Sequence, residues 1–333
     1  MKILFYDIKD YEFDYLTNNI RDNIEPYFFK IPLNSNTYID EKYKDIEALS
    51  VFVSSNLQKD VLSRFKNLKF IFLRCVGYSN IDLDYCKKHN IKIFNTPNYG
   101  SSTVAEFAFG LILELARKIN IAQNAIKSGE INHNNLAGIE LHSKTLGLIG
   151  FGNIGKKIAQ IASGFNMDVI IYDIKDAEEY NFVSLDEIYQ KSDFLVLSCP
   201  LNKETKGMIS YHEFNKMKKS AFLINITRGE IVDTKALTHA LVEKKIKGAA
   251  LDVIECEETL CNLWDFCLNT GQNEHCLKKF LFIEKLKQMP NVIITPHIAY
   301  NTKEALSEIL DITLQNIQSS FEINKDTKNL IML

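Results

Sequence analysis

Short runs of consecutive apolar residues recur along the chain and alternate with stretches that have helical spacing. Apolar runs lie at 2–6, 48–53, 70–73, 91–95, 145–149, 169–172, 193–198, 221–226, 246–253 and 291–297. Runs of this length, with little polar alternation, are typical of strands that are buried on both faces of a sheet. Stretches such as 59–65, 82–89 and 156–165 supply the helices between them. The alternation predicts an α/β fold built on parallel sheets.

A long apolar helix is predicted after the strand at 91–95. It runs to about Arg117 and continues, in the same or a second helix, to Gly129. Because its apolar residues lie on all sides, we expect it to be buried in a core or in a subunit contact. Glu106 and Glu114 interrupt the apolar run, which is too short and too charged to span a bilayer. Pro97 and Gly100, just before the helix, mark a predicted hinge between two domains.

A glycine-rich turn at 150–155 stands between the strand at 145–149 and the following helix. Its three glycines permit a tight turn, close approach of the backbone to a pyrophosphate, and close packing of helix on strand. The helix N-terminus adds unpaired N–H groups and the positive end of a dipole. Asp173 lies about 20 residues further on, where a carboxylate binds the adenosine ribose and repels a 2′-phosphate, so NAD is favoured over NADP. The expected cofactor-binding residues are Gly150, Gly152, Asn153, Ile154, Gly155 and Asp173.

Polar residues follow three later strands, at the sheet edge where open parallel sheets bind ligands. They are Arg228, Asp252 and His297, and Glu257 lies shortly after Asp252. Taken singly, such an arginine is commonly a surface ion-pair partner and such a histidine an ordinary loop residue. Together, on the cofactor side of one sheet, they indicate a catalytic site.

The residue types at these strand ends suit the reduction of a 2-keto acid. Histidine exchanges protons near neutral pH, and a carboxylate against its other ring nitrogen favours the imidazolium. Arginine offers a fork of donors to a substrate carboxylate. NAD carries a hydride, so its partner is a carbonyl or alcohol that also gains or loses a proton.

A second glycine turn follows the strand at 70–73 and includes Val76 and Gly77. Backbone N–H groups exposed at such a turn can bind an anion. The alternative is an ordinary turn that leads into the helix at 82–89. Spacing alone leaves both alternatives open. The first sheet has no glycine fingerprint of its own, which makes it the candidate for a second, non-nucleotide domain.

Composition excludes several classes of function. With 333 residues the chain is long enough for two domains, and its net charge of −3 provides no basic field for nucleic acid. The first residues reach Asp7 too soon for a signal peptide. The seven cysteines are an odd number, so we expect a reduced, cytoplasmic protein without a membrane segment.

A cysteine-rich segment lies between Glu257 and Pro290. Clustered cysteine and histidine can bind a metal. These cysteines lack a paired C-x-x-C spacing, so we expect no metal and favour buried free thiols in an apolar flap over the site. The residues in question are Cys256, Cys261, Cys267, Cys276 and His275, with the sole tryptophan, Trp264.

Several separated motifs, in order along nearly the whole chain, resemble the D-isomer-specific 2-hydroxyacid dehydrogenases, and most closely their D-lactate dehydrogenase branch. The resemblance implies two doubly wound parallel-sheet domains with a cleft between them: a Rossmann NAD-binding domain at 100–298 and a flavodoxin-like substrate domain at 1–99 and 299–333. It also implies a homodimer, built partly on the helix after Gly100. The motifs are 76–82, 99–106, 150–155 with Asp173, 226–230, 251–257 and 295–297.

The resemblance implies a role for each site residue. Arg228 binds the substrate carboxylate and polarises the carbonyl, His297 is the proton donor, and Glu257 is the carboxylate partner of His297. Asp252 lies near the nicotinamide carboxamide and supports the site. The implied substrate-binding residues are Val76, Gly77, Tyr99, Arg228 and Tyr300, and the remaining implied cofactor-binding residues are Cys199, Pro200, Thr205 and Thr227.

These roles predict NAD-dependent reduction of a small 2-keto acid, with pyruvate first, to the D-2-hydroxy acid. A larger keto acid such as phenylpyruvate or 2-ketoisocaproate competes within the same enzyme class, because the size of the pocket beside Tyr99 and Tyr300 cannot be judged from sequence. A different class is an NAD-sensing, corepressor-like binding protein. No added tail or basic patch supports that alternative.

Overall fold

The computed structural model describes residues 1–78, 80–129, 136–175, 180–257, 274–322 and 327–331. The strands are β1 (Lys2–Phe5), β2 (Glu25–Phe28), β3 (Ala48–Val51), β4 (Phe70–Leu73), β5 (Lys92–Phe94), β6 (Thr145–Ile149), β7 (Asp168–Tyr172), β8 (Phe194–Leu197), β9 (Phe222–Asn225), β10 (Gly248–Leu251), β11 (Val292–Ile294) and β12 (Leu330–Ile331). The α-helices are α1 (Asp10–Asn19), α2 (Lys59–Leu62), α3 (Leu83–Lys88), α4 (Ser101–Arg117), α5 (Ile119–Lys127), α6 (Asn153–Gly164), α7 (Leu185–Lys191), α8 (Tyr211–Lys216), α9 (Thr234–Val242), α10 (Glu274–Lys287) and α11 (Lys303–Ser319).

These elements form two units, one of Met1–Gly100 with Thr302–Leu333 and one of Ser101–Asn301. Each unit contains one sheet with helices around it, so the predicted α/β class with two parallel-sheet domains is confirmed. The boundaries predicted from sequence lie at 99/100 and 298/299, and the assignment of substrate binding to the first unit stays a prediction.

The sheet of the first unit has the strand order β12-β5-β4-β3-β1-β2. Its five parallel strands follow the flavodoxin-like order 2-1-3-4-5. The pattern of apolar runs missed two strands, and both lie at edges of the sheet. Strand β2 contains Pro26 and has no fully buried residue, and β12 is a two-residue antiparallel strand beside β5. Edge strands tolerate proline and polar faces, so they leave a weak apolar signal.

The sheet of the second unit has the order β11-β10-β9-β8-β6-β7, and all its pairs are parallel. The carboxyl ends of β6, β9, β10 and β11 therefore meet at one edge. Helix α4 packs on this sheet with Ala105, Ala108 and Ile112 in the core, as expected from its apolar sequence. Helix α5 begins after Lys118, which has a left-handed backbone (φ 55°), and contains no buried residue. It is therefore not part of the core of this chain, and the alternative that it lies in a subunit contact stays a prediction.

A fully buried arginine holds the first unit together. Arg74 donates from Nε to Glu12 Oε1 at 3.1 Å, from Nη1 to Ser50 Oγ at 3.0 Å, and from Nη2 to the Tyr6 carbonyl at 2.5 Å. The Arg74 and Glu12 side chains are 0% and 6% exposed. A buried charge that loses its partner is strongly destabilising, because no water replaces the lost interaction.

We expect Glu12→Ala to lower the free energy of unfolding by about 3–5 kcal/mol, since it leaves the Arg74 guanidinium buried without its counter-ion. Guanidinium-induced unfolding, followed by fluorescence and far-UV circular dichroism, measures the change. Asp10→Ala is the matched control on the same helix turn, because the Asp10–Lys30 ion pair is solvent-exposed. A loss with Glu12→Ala no larger than with Asp10→Ala would contradict the prediction.

Candidate active site

The glycine turn between β6 and α6 has the backbone that the sequence pattern requires. Gly150 adopts φ +99°, and an added Cβ there would lie 2.5 Å from the Cys199 backbone nitrogen. An added Cβ on Gly155 would lie 2.4 Å from the Gly150 carbonyl oxygen. Gly152 faces open space, with no atom within 4 Å of an added Cβ. The turn therefore leaves an uncovered backbone at the N-terminus of α6, where a pyrophosphate fits.

Asp173 lies directly after β7 and contacts this turn. Its Oδ2 accepts a hydrogen bond from the Phe151 N–H at 2.6 Å, and its Oδ1 accepts one from the Lys175 N–H at 3.1 Å. The carboxylate is thus fixed beside the glycine turn and carries negative charge, as an adenosine ribose site requires. Glycine turn, helix N-terminus and terminal acid all fit NAD.

The other predicted cofactor residues lie on loops at the same edge of this sheet. Cys199 is buried, and burial raises the pKa of its thiol to about 11, so it stays neutral near pH 7. The Thr205 hydroxyl donates to the Pro200 carbonyl at 2.7 Å and so closes its own loop. The Thr227 hydroxyl donates to Asn225 Oδ1 at 2.9 Å. The hydroxyl groups of both threonines therefore stabilise the loops that carry them.

The loop after β9 presents Arg228. Buried Asn225 accepts from the Thr227 N–H at 3.1 Å and donates from Nδ2 to the Arg228 carbonyl at 2.9 Å. Gly229 then packs on the backbone after β10, where an added Cβ would lie 2.0 Å from the Ile254 carbonyl carbon. These contacts fix the backbone on both sides of Arg228, whose guanidinium is exposed. Its Nη1 donates to the Thr227 carbonyl at 2.7 Å.

Asp252 organises the loop after β11. The residue is 1% exposed, and its Oδ1 accepts from Thr295 Oγ1 at 2.6 Å and from the Ile298 N–H at 2.9 Å. Its Oδ2 accepts from the Ala299 N–H at 2.8 Å, and its carbonyl accepts from the His297 N–H at 3.0 Å. Both carboxylate oxygens are therefore engaged in supporting the loop that carries His297.

His297 and Glu257 form a hydrogen-bonded pair. The distance from His297 Nδ1 to Glu257 Oε2 is 2.9 Å, and the two side chains are 38% and 36% exposed. A carboxylate only accepts, so Nδ1 carries the proton of this bond and Nε2 remains available to a substrate. The Tyr300 ring lies edge-on to the imidazole at 6.2 Å between centroids. His297 has an unusual left-handed backbone (φ 54°), held by the bonds to Asp252.

The expectation of free thiols is wrong for two cysteines of the cysteine-rich segment. Cys256 and Cys276 form a disulfide bond, because α10 brings Cys276 against the turn after β10. Cys261, Cys267, Trp264 and the side chain of His275 lie outside the described residues. Within the described ranges, no group of three His, Cys, Asp or Glu side chains has a metal-binding arrangement. Nor does any described helix combine the length and apolar character that a membrane crossing requires.

Val76, Gly77 and Tyr99 lie in the first unit. The Val76 carbonyl accepts from Asn95 Nδ2 at 2.9 Å, and the Gly77 carbonyl accepts from the Cys75 thiol at 3.2 Å. Among the described residues, no acceptor binds the N–H groups of Val76 and Gly77. The turn therefore keeps its backbone donors available, as an anion-binding turn requires.

Sequence reasoning missed three residues that build this site. Asn225 and Thr295 orient the loops of Arg228 and His297, and Lys279 binds the carboxylate of Glu255, next to the disulfide, at 2.6 Å. An Asn two residues before Thr227 is a turn-forming signal that could have indicated the role of Asn225. Lys279 is far along the chain and gives no such signal.

Comparison with known proteins indicates the same kind of site. Residues 109–299 match the family model described as D-isomer specific 2-hydroxyacid dehydrogenase, NAD binding domain. An aromatic 2-oxoacid reductase of Clostridium sporogenes is 35% identical over 339 residues, which cover 99% of this chain and 98% of that protein. A D-lactate dehydrogenase of Curvularia clavata is 36% identical, with 95% and 91% covered. The solved D-lactate dehydrogenase of Aquifex aeolicus, complexed with NAD and lactic acid, has a TM-score of 0.87 and 32% identity, with 99% and 98% covered.

These similarities agree with the geometry at both ends of the site, the glycine turn and the histidine–carboxylate pair. They confirm the resemblance drawn from the motifs and the expectation of NAD as cofactor. Because the family model spans more than half of the chain and the relatives match nearly all of it, this protein belongs to the D-isomer-specific 2-hydroxyacid dehydrogenase family and is an NAD-dependent oxidoreductase.

Proposed function

We propose that the protein reduces a small 2-keto acid, with pyruvate as the first candidate, to the corresponding D-2-hydroxy acid. The observation that carries the proposal is the 2.9 Å bond between His297 Nδ1 and Glu257 Oε2. It fixes the imidazole so that Nε2 is available to a substrate oxygen, and it places a negative charge beside the imidazolium. A proton donor of this kind is what carbonyl reduction needs besides its reductant.

Each residue of the chain has a task in this reaction. NADH, when bound, supplies the hydride. His297 donates the Nε2 proton to the carbonyl oxygen, and Glu257 stabilises the imidazolium before that transfer. Arg228 binds the substrate carboxylate through its planar guanidinium fork. The roles of Val76, Gly77 and Tyr99 in substrate binding stay predictions. Within the part of the chain that the structure describes, no acceptor binds the N–H groups of Val76 and Gly77, which supports the roles of these two residues.

A larger 2-keto acid is the second candidate. Tyr300 stands against the His297 ring, so its side chain restricts the space beside the proton donor. The Clostridium sporogenes relative is named for aromatic 2-oxoacids, whereas the Curvularia clavata and Aquifex aeolicus relatives are named for D-lactate. These names support both candidates, and the ring of Tyr300 favours the smaller one.

A panel of keto acids tests the proposal. Purified protein is assayed with pyruvate, phenylpyruvate and 2-ketoisocaproate, each with NADH and with NADPH, and the product is resolved on a chiral column. We expect the highest kcat/KM for pyruvate with NADH and the D-product, because Asp173 disfavours a 2′-phosphate. A preference for phenylpyruvate would establish the second candidate. Tight NADH binding without turnover on any keto acid would favour the corepressor-like alternative.

We also propose that the protein is a homodimer that uses the helices after Gly100. Helix α5 leaves Ile119 and Ile126 exposed, at 56% and 63%, and none of its residues is buried within this chain. Apolar residues grouped in this way are typical of subunit contacts. The cytoplasmic location stays a prediction.

A further inference from the structure

The turn that carries Glu257 is attached to helix α10 at two adjacent residues. Glu255 Oε2 accepts from Lys279 Nζ at 2.6 Å and from the Thr234 N–H at 2.7 Å. Cys256, the next residue, forms the disulfide with Cys276. Residues 276 and 279 are three apart on one helix and so lie on the same face. One face of α10 thus holds the two residues that directly precede Glu257.

Helix α10 is a firm anchor for this attachment. Its Ile283 and Leu286 side chains are fully buried in the core of the second unit. Cys256 itself has a left-handed backbone (φ 56°), which a non-glycine residue adopts only where its surroundings impose it. The covalent bond to a fixed helix supplies such a constraint, one residue before the carboxylate that pairs with His297.

We propose that the Cys256–Cys276 bond is a thiol–disulfide exchange site that controls the Glu257–His297 pair. The inference rests on the proposed role of His297 as proton donor. In the disulfide form, Cys256 is fixed to α10 and Glu257 is held against the imidazole. In the dithiol form, the Glu255–Lys279 ion pair still holds residue 255, but residues 256 and 257 lose their covalent attachment, so the carboxylate leaves Nδ1 for part of the time.

The reductant in this step is a dithiol, either a small molecule or a protein. Its thiolate attacks Cys256 Sγ, the Cys256–Cys276 bond breaks, and Cys276 leaves as a thiolate that takes up a proton. The second thiol of the reductant then attacks the mixed disulfide and releases Cys256, which is also protonated. Two electrons and two protons enter the protein, and the reductant becomes a disulfide.

The geometry favours this direction of attack. Cys256 is partly exposed, whereas Cys276 is buried in the first turn of α10, where the positive end of the helix dipole stabilises a leaving thiolate. Two of the other described cysteines are poor nucleophiles near neutral pH. Burial raises the pKa of the Cys86 thiol to about 12 and that of Cys199 to about 11. In the reducing compartment expected from sequence, a disulfide is typically transient and redox-sensing.

Among the described groups around His297, Glu257 is the one whose position we expect to change when the disulfide is reduced. Asp252, directly after β10, accepts hydrogen bonds from Thr295 Oγ1 and from the Ile298 and Ala299 N–H groups. Glu255, on the turn itself, is paired with Lys279 from α10. The Tyr300 ring contacts the imidazole from its own loop. None of these interactions includes a sulfur atom, so reduction changes the environment of His297 through Glu257.

The test compares one protein preparation in its disulfide form and after treatment with dithiothreitol. Mass spectrometry of alkylated, digested protein measures the fraction of linked 256–276 peptide. We expect reduction to lower kcat for keto-acid reduction by about tenfold, part of the contribution of a positioned general acid, because the imidazole is then held by its carboxylate for only part of the time. The KM for the keto acid and the Kd for NADH should change less than twofold, and reoxidation should restore kcat.

Variants separate this effect from general destabilisation. Cys276→Ser should show the kcat of the reduced protein and no response to dithiothreitol. Cys86→Ser, which removes a buried thiol in the other unit, should keep the full response. An identical kcat for fully reduced and fully oxidised protein would overturn the proposal, as would the absence of a linked 256–276 peptide after oxidation.

An NMR measurement keeps the inference distinct from the proposed function. The His297 imidazole resonances are assigned with His297→Gln and compared at one pH in both redox forms, because loss of the Glu257 acceptor shifts the Nδ1–H signal. If neither form reduces any keto acid, the proposed function fails, and an Nδ1–H signal that still shifts on reduction supports the control of Glu257. If turnover is robust and the signals of the two forms coincide, the proposed function stands and the thiol–disulfide control is refuted.

Discussion

His297→Asn is expected to lower kcat for keto-acid reduction by about 10²–10⁴-fold, the usual contribution of a positioned general acid. Asparagine keeps a polar side chain on the left-handed backbone but supplies no acidic proton to a carbonyl oxygen. The Kd for NADH should remain within twofold, because the glycine turn and Asp173 lie on other loops. Steady-state kinetics and fluorescence titration with NADH measure the two quantities.

Glu257→Gln is the companion variant. It keeps the size of the side chain and a hydrogen-bond acceptor for Nδ1 but removes the charge that stabilises the imidazolium. We expect a smaller loss of kcat than His297→Asn shows, because the proton donor itself remains, and the Kd for NADH should not change. Full activity in His297→Asn, or a loss of NADH binding equal to its loss of turnover, would contradict the assigned roles.

The fold and the location of the site followed from local sequence because both depend on strand ends. Apolar runs marked the buried strands, and in a parallel sheet every carboxyl end lies at the same edge. The sequence therefore indicated that residues such as Asp252 and His297 belong to one region, although they are 45 positions apart along the chain. The glycine turn was equally local, since backbone conformation and helix packing both lie within residues 150–155.

Other features could not be predicted because they depend on contacts between distant segments. Gly229 looks like any turn glycine until the Ile254 backbone is seen to occupy the place of its Cβ. The left-handed backbone of His297 is imposed by Asp252, which no periodicity reveals. The odd number of cysteines favoured free thiols, and only the position of α10 brings Cys256 and Cys276 within bonding distance.

Arg228→Met is the second large effect that we expect. Without the guanidinium, the carboxylate of bound pyruvate has lost its charged partner. The kcat/KM for pyruvate should therefore fall by about 10²–10³-fold, the cost of truncating one partner of a charge pair that binding removes from water. Arg228→Lys should be intermediate, since it keeps the positive charge and loses the planar fork. Steady-state kinetics measure these losses. The control is Arg21→Met, which removes an exposed arginine from the first unit and should leave both kcat and KM for pyruvate unchanged.

A comparison of pyruvate with a neutral substrate tests whether Arg228 recognises the carboxylate. Pyruvamide has the same shape as pyruvate but lacks the carboxylate, so wild-type protein should strongly prefer pyruvate. Because the fixed backbone around Arg228 depends on Asn225 and Gly229, substitution of the arginine side chain should leave the loop in place. Arg228→Met should therefore lose much more activity on pyruvate than on pyruvamide, for which only the polarisation of the carbonyl is lost. An equal loss on both substrates would show that Arg228 does not select the carboxylate.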